Sequence, residues 1–262
     1  MRILIVLTVL ALSLTTAQAQ QKPSEFDAFR EAAQKADDSA KLSALLQFIK
    51  DYPESSMLPL ANLQIFKAMV KTGAAEKDYF AFAEEAAKSF PKQPQRSYVL
   101  DEIAYTLANT GKSLDKAQQY AEEAVRDFPS TGEPYKLVMA QHTLGWIKLQ
   151  RGQYAEALRL LEQAASGADS PTVYDHLAEA YEKTSDKTRK FNALLGAALV
   201  SSGEEQNRRL DQLKSEYLKS GSEEAFEKLL DERRTSLLRA RALQQRKYES
   251  AAPERTLSGF AG

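Results

Sequence analysis

Apolar residues recur along this chain at helical spacing, in paired runs that break at fixed intervals. Ile65 and Met69 belong to one run and Ala83 and Ala86 to the next; 38 residues on, Ile103 and Leu107 are followed by Ala121 and Ala124. Thr72-Gly73 separates the first pair of runs and Thr110-Gly111 the second. Both pairs end alike, in Lys88-Ser89-Phe90-Pro91 and Arg126-Asp127-Phe128-Pro129, and Lys50-Asp51-Tyr52-Pro53 stands 38 residues before the first of these. A cation suits the negative end of a helix dipole, and proline stops the helix. Each unit therefore reads helix, glycine-marked turn, helix, proline stop. Residues 56–91 and 94–129 are two copies of one unit, and a step between 20 and 50 residues signals a repeat array. A degenerate copy precedes them, with Phe26 to Lys35 as its first helix and Lys41 to Lys50 as its second.

Two further copies follow. Leu144-Gly145-Trp146 opens one, Gly152-Gln153-Tyr154 marks its turn, and Ala157, Leu161 and Ala164 space its second helix. Pro171 opens the other, with Tyr174, Leu177, Ala178 and Tyr181 on one face and Leu194 and Ala197 on the next helix. Gly145, Ala157, Ala164, Ala178 and Ala197 are small where neighbouring helices must approach closely. These units resemble tetratricopeptide repeats, most closely in TLGWIKLQRGQYAEALRLLEQAA, and the resemblance covers residues 38 to 200. It departs from the family in its 38-residue step, against 34, and in Lys190, where Ala is usual. The resemblance implies an all-α, right-handed superhelical solenoid of antiparallel helix pairs. After residue 200 the repeat fades. Ser201-Ser202-Gly203 and Ser220-Gly221-Ser222 bracket a helix from Glu204 to Leu218, and Ser222 caps an amphipathic helix running to about Tyr248. A solenoid end needs such a capping segment, with a polar outer face.

Composition adds boundaries. The 262 residues are 43% hydrophobic and 27% charged with a net charge of −1, which suits a folded protein and offers no field for nucleic acid or an anionic membrane. Met1-Arg2, the apolar run Ile3 to Leu14 and Ala17-Gln18-Ala19 make the three-part pattern of a secretory signal peptide. Its removal leaves no segment long enough to span a bilayer. Export, to a bacterial periplasm in this reading, is the expectation. The organisation is then a signal peptide at 1–19, a repeat array at 20–200, capping helices at 201–250 and a tail at 251–262. There is no cysteine, so stability rests on the apolar core, and thiol chemistry and thiolate metal sites are excluded.

Little else points to catalysis. GxSxG, P-loop and GxGxxG motifs are absent, and Glu84-Glu85 and Glu122-Glu123 are helix neighbours that point apart. No catalytic, cofactor or metal residue is assigned. His142 and His176 lie 34 apart at near-equivalent positions of adjacent units, hence close in space. Asp175 is the one obvious further ligand nearby, so the pair reads as groove-lining imidazoles rather than a metal site. In the family it resembles, first helices line a concave groove. That carries Tyr98, Asp101 and Tyr105 from one unit, Met139, His142 and Trp146 from the next, and Thr172, Asp175 and Glu179 from the third to one surface, aromatic with an acidic flank. Aromatic anchors in a groove suit peptide or protein recognition. The bland alternative, that Trp146 and Tyr105 pack between repeats, stays open here. The lysine–asparagine clamp that some relatives use for C-terminal carboxylates is missing.

Three more segments carry expectations. The run Arg233, Arg234, Arg239, Arg241, Arg246 and Lys247 follows Glu223, Glu224, Glu227, Asp231 and Glu232, which reads as a solvated, dipole-matched helix, with contact to a partner or anionic lipid as the alternative. The tail AAPERTLSGFAG resembles the opening of thioredoxin-like redoxin domains, and FIKDYPESSMLPLA at 48–61 is similar to wording in envelope-assembly proteins, without their lipid-anchoring Cys. The leading expectation is an exported scaffold that binds a peptide or protein in its groove. The alternative is the helical front module of a thiol-disulfide enzyme whose catalytic domain lies elsewhere.

Overall fold

The computed structural model describes residues 23–90, 95–128 and 134–251. The segment expected to be a signal peptide, 1–19, and all but Ala251 of the tail expected at 251–262 lie outside the described residues. Twelve helices follow one another, with no strand among the described residues: α1 (Glu25–Ala33), α2 (Asp38–Asp51), α3 (Leu58–Thr72), α4 (Glu76–Ser89), α5 (Gln95–Thr110), α6 (Leu114–Asp127), α7 (Pro134–Gln150), α8 (Tyr154–Ala165), α9 (Pro171–Lys183), α10 (Lys187–Val200), α11 (Gly203–Tyr217) and α12 (Glu223–Ala251). Odd and even helices pair in sequence, and the first helices α1, α3, α5, α7 and α9 also meet one another in succession.

Local chemistry sets the helix ends. Tyr52 and Phe90 are the C-caps of α2 and α4, and Phe128 that of α6, at the aromatic of each predicted stop. The turns inside units share one closure. Ala74 N–H donates to Met69 O, Lys112 N–H to Leu107 O and Gln153 N–H to Lys148 O, at 2.9, 3.1 and 2.9 Å. Each bond spans a left-handed glycine, Gly73, Gly111 or Gly152, as a Schellman cap requires. The fourth unit makes the same bond, Asp186 N–H to Tyr181 O, over Ser185 at φ 61°. A non-glycine residue there carries strain that the earlier units avoid.

The core follows from small residues. Ala83, Ala86, Ala121 and Ala124 are fully buried on the second helices and pack in one cluster with Phe66, Leu100, Ile103, Leu107 and Ile147 of the first, while Ala157 and Ala164 are buried with Leu177 and Val173 of α9, respectively. At Gly145 a Cβ would come within 2.9 Å of Leu161 Cγ, so α7 and α8 meet at that point. Lys190, the departure from the family pattern, ion-pairs with Glu182 at the surface.

The C-terminal pair is less regular. α12 lies against α10, with Phe226 and Leu230 around Leu195, and Leu237 beside Tyr174 and Ala197. The Ser222 hydroxyl accepts from Ala225 N–H at its start. The helix runs to Ala251, past the expected Tyr248, because no breaker occurs before Pro253. Its basic stretch is not simply solvated. Arg233 packs over the Tyr174 ring at 5.6 Å beside Gly196, and Arg241 reaches Asp169 at 2.7 Å. None of the helices described is long and apolar enough to cross a membrane.

Candidate partner-binding cleft

Residues three and four apart share a helix face. On α5 that face presents Tyr98, Asp101, Glu102 and Tyr105; on α7 it presents Tyr135, Lys136, Met139, His142 and Thr143. The two first helices lie side by side, and together with Phe128, Ser170 and Thr172 these residues line a cleft of about 340 Å³. That volume is in the range of small-ligand and side-chain pockets. Tyr98 and Tyr135 are 44% and 54% exposed at the rim, while Asp101 and His142 are 9% and 1% exposed at the floor.

Charge in the cleft is unevenly compensated. Glu102 is held by Lys67 of α3 at 2.6 Å. Asp101 has no such partner: its Oδ1 is buried and makes no hydrogen bond among the described residues. Burial pushes its carboxyl up to about 7; the Thr143 hydroxyl pulls the other way, and nearby Glu102 adds to the rise. The Tyr98 hydroxyl is likewise raised, by burial first and then by Glu102 and Asp101. Lys136 supplies a cation at the mouth, 5.9 Å from the centre of the Tyr98 ring.

Behind the floor stands a stack. His142 Nε2 and His176 Nδ1 are 2.8 Å apart, so one donates to the other, and His176 lies flat on Trp146 with ring centres 3.8 Å apart and 6° between planes. Burial, then the neighbouring His176, drives His142 down to about 3; burial drives His176 down to about 4, against the pull of Asp175. Both imidazoles are therefore neutral at pH 7. His142 Nδ1 has no partner among the described residues. No cluster of three or more His, Asp or Glu side chains suited to a metal occurs among the described residues.

The expected groove residues divide into two groups. Tyr98, Asp101, Tyr105, Met139, His142 and Thr172 share the cleft. Trp146, Asp175 and Glu179 are elsewhere. Trp146 is half-buried against both central clusters. Asp175 is clamped by both Nη atoms of Arg209 at 2.8 and 2.9 Å, and Glu179 is exposed. The acidic flank is accordingly weaker than formal charge suggests, with Glu102 and Asp175 each paired to a cation. Tyr135, Lys136 and Thr143 belong to the cleft and were missed. They lie on the same α7 face as Met139 and His142, and that spacing was signal enough to include them.

A second cavity, of about 270 Å³, lies between α12 and the last repeats. Its tyrosines are already bonded, Tyr181 to Glu162 at 2.6 Å and Tyr174 to Ala165 O at 2.7 Å.

No protein-family model matches the chain, and no curated protein does. Solved structures do. The crystal structure of a Podosopora anserina putative kinesin light chain with nearly identical TPR-like repeats superposes with a TM-score of 0.52 and 18% identity, over 68% of this chain and 93% of that one. A point-substituted form of the same protein gives 0.54 and 18%, over 68% and 92%. At that identity the likeness is one of fold. The described residues form an all-helical solenoid of the tetratricopeptide-like fold.

Proposed function

We propose that this protein is an exported scaffold that holds a peptide or protein segment against the α5–α7 cleft. The observation that carries the reading is the cleft itself: three tyrosines and a methionine line a cavity whose floor holds a buried carboxyl, Asp101, with one oxygen unpartnered among the described residues. Apolar walls with a few convergent polar groups are the ordinary make-up of a recognition pocket. Helical repeat scaffolds present such surfaces to partners. Export rests on the N-terminal three-part pattern in the sequence. The close His142–His176 pair is buried and neutral, which suits a structural place beside the cleft better than proton transfer.

Cross-linking in cells followed by mass spectrometry tests it. Wild type and the Tyr105→Ala/Met139→Ala variant are compared at equal abundance. Loss of one or a few cross-linked proteins in the variant is the expected result; an unchanged set sinks the cleft as the contact surface.

A further inference from the structure

We propose that the cleft takes a cationic side chain, the lysine or arginine of a bound segment, with its head against Asp101 and its stem between Tyr98, Tyr105 and Tyr135; this rests on the cleft being the partner surface. Three observations converge. Asp101 is buried at the floor with Oδ1 unpartnered among the described residues, and His142 Nδ1, also on the floor, is unpartnered as well. An unmade hydrogen bond at a buried polar atom is costly, and a carboxylate more so. A group with several N–H donors suits that floor; a ligand carboxylate, an acceptor only, would meet Asp101 with like charge.

The walls agree with the floor. Tyr98, Tyr105 and Tyr135 offer ring faces, which attract ammonium and guanidinium groups. The cleft already shows this preference, because Lys136 sits over Tyr98. The neighbouring carboxylate does not substitute for Asp101, since Glu102 is engaged by Lys67. Long cationic side chains also have the apolar stem that a tyrosine-lined cavity favours. Lys136 and an incoming cation repel each other, so the resident lysine sets an upper limit on affinity.

The test pans a random short-peptide library against the full chain and keeps binders that Tyr105→Ala loses. The expected binders carry Lys or Arg at one fixed position. Replacing that residue by norleucine weakens binding about tenfold or more, the scale for a charge-assisted hydrogen bond. Asp101→Asn produces the same loss for the lysine peptide and none for the norleucine peptide, while Lys136→Ala tightens the lysine peptide. Far-UV circular dichroism confirms that each variant is folded. Cleft-dependent binders with no basic residue in common overturn the cationic assignment and leave the cleft reading standing. Folded protein that yields no Tyr105-dependent binder overturns both.

Discussion

Asp101→Asn separates the cost of burying a charge from everything else in the fold. The substitution keeps shape and volume and removes one titration. Asp101 moves from 3.8 in an unfolded chain to about 7 in the fold, so the folded state binds the proton more tightly. Between those values the native protein holds more protons than the unfolded one, and stability falls as pH rises. From pH 5 to the folded value is about two units, at about 1.4 kcal/mol per unit. Wild type therefore loses ~2–3 kcal/mol from this group between pH 5 and pH 8, and the Asn variant does not. The histidines cancel in the comparison, because the shift at His142 comes from burial and His176, with no part from Asp101. Urea unfolding of both proteins at pH 5 and 8, followed by circular dichroism and by the single tryptophan, gives the difference of differences. Asn gaining on wild type at pH 8 is the expected outcome. Parallel pH profiles would refute the buried, unpaired carboxylate, and the floor of the cleft with it. The groups facing Asp101, namely Tyr98, Glu102 and Tyr105 on α5 and Lys136, His142 and Thr143 on α7, are unchanged in the variant.

Three other outcomes are expected. His142 and His176 are held near 3 and 4 against 6.5 unfolded, so the unfolded chain binds more protons below pH 6.5 and stability drops on acidification towards pH 4; His142→Leu makes that drop shallower in pH-dependent thermal melts. Gly145→Val forces a branched side chain on Leu161 and Leu160 and costs ~2–3 kcal/mol of overpacking, read from urea midpoints, whereas a neutral result would mean that α7 and α8 separate easily. Phe226→Ala empties a fully buried site between α10 and α12 and costs ~3 kcal/mol there. Hydrogen exchange should quicken in α10 to α12 and stay unchanged in α3 to α6, since repeat arrays pass strain only to neighbours.

The architecture was readable because it is written in local chemistry. Tyr52, Phe90 and Phe128 fall at helix ends, and Gly73, Gly111 and Gly152 hold left-handed turns, as their spacing implied. Each of these signals acts within a few residues. The cleft was readable in part, through the face shared by Tyr98, Asp101 and Tyr105. What spacing cannot convey is pairing across the array. Lys67 with Glu102 and Arg209 with Asp175 are separated by 35 and 34 residues, and these pairings decided which carboxylates stay uncompensated. The seating of Trp146 on His176 is also such a fact. One register places both rings on first helices; only the packed structure says that they stack.

The length of α12 has a mechanical consequence. At 1.5 Å per residue its 29 residues reach about 43 Å, and the helix ties back to the α8–α9 connection through Arg241 and Asp169, 72 positions apart in the chain. The opposite end is braced only locally: α1 is nine residues long, rests on α2 and α3, and is tied to the α2–α3 connection by the Tyr52 hydroxyl donating to Pro23 O and the Ser56 hydroxyl donating to Glu25, both at 2.8 Å. A solenoid stretched between its termini should thus behave as a ratchet with one soft end. Extension in an optical trap should peel α1 and α2 at the lowest force, while the strut keeps the last repeats together until late in the pull.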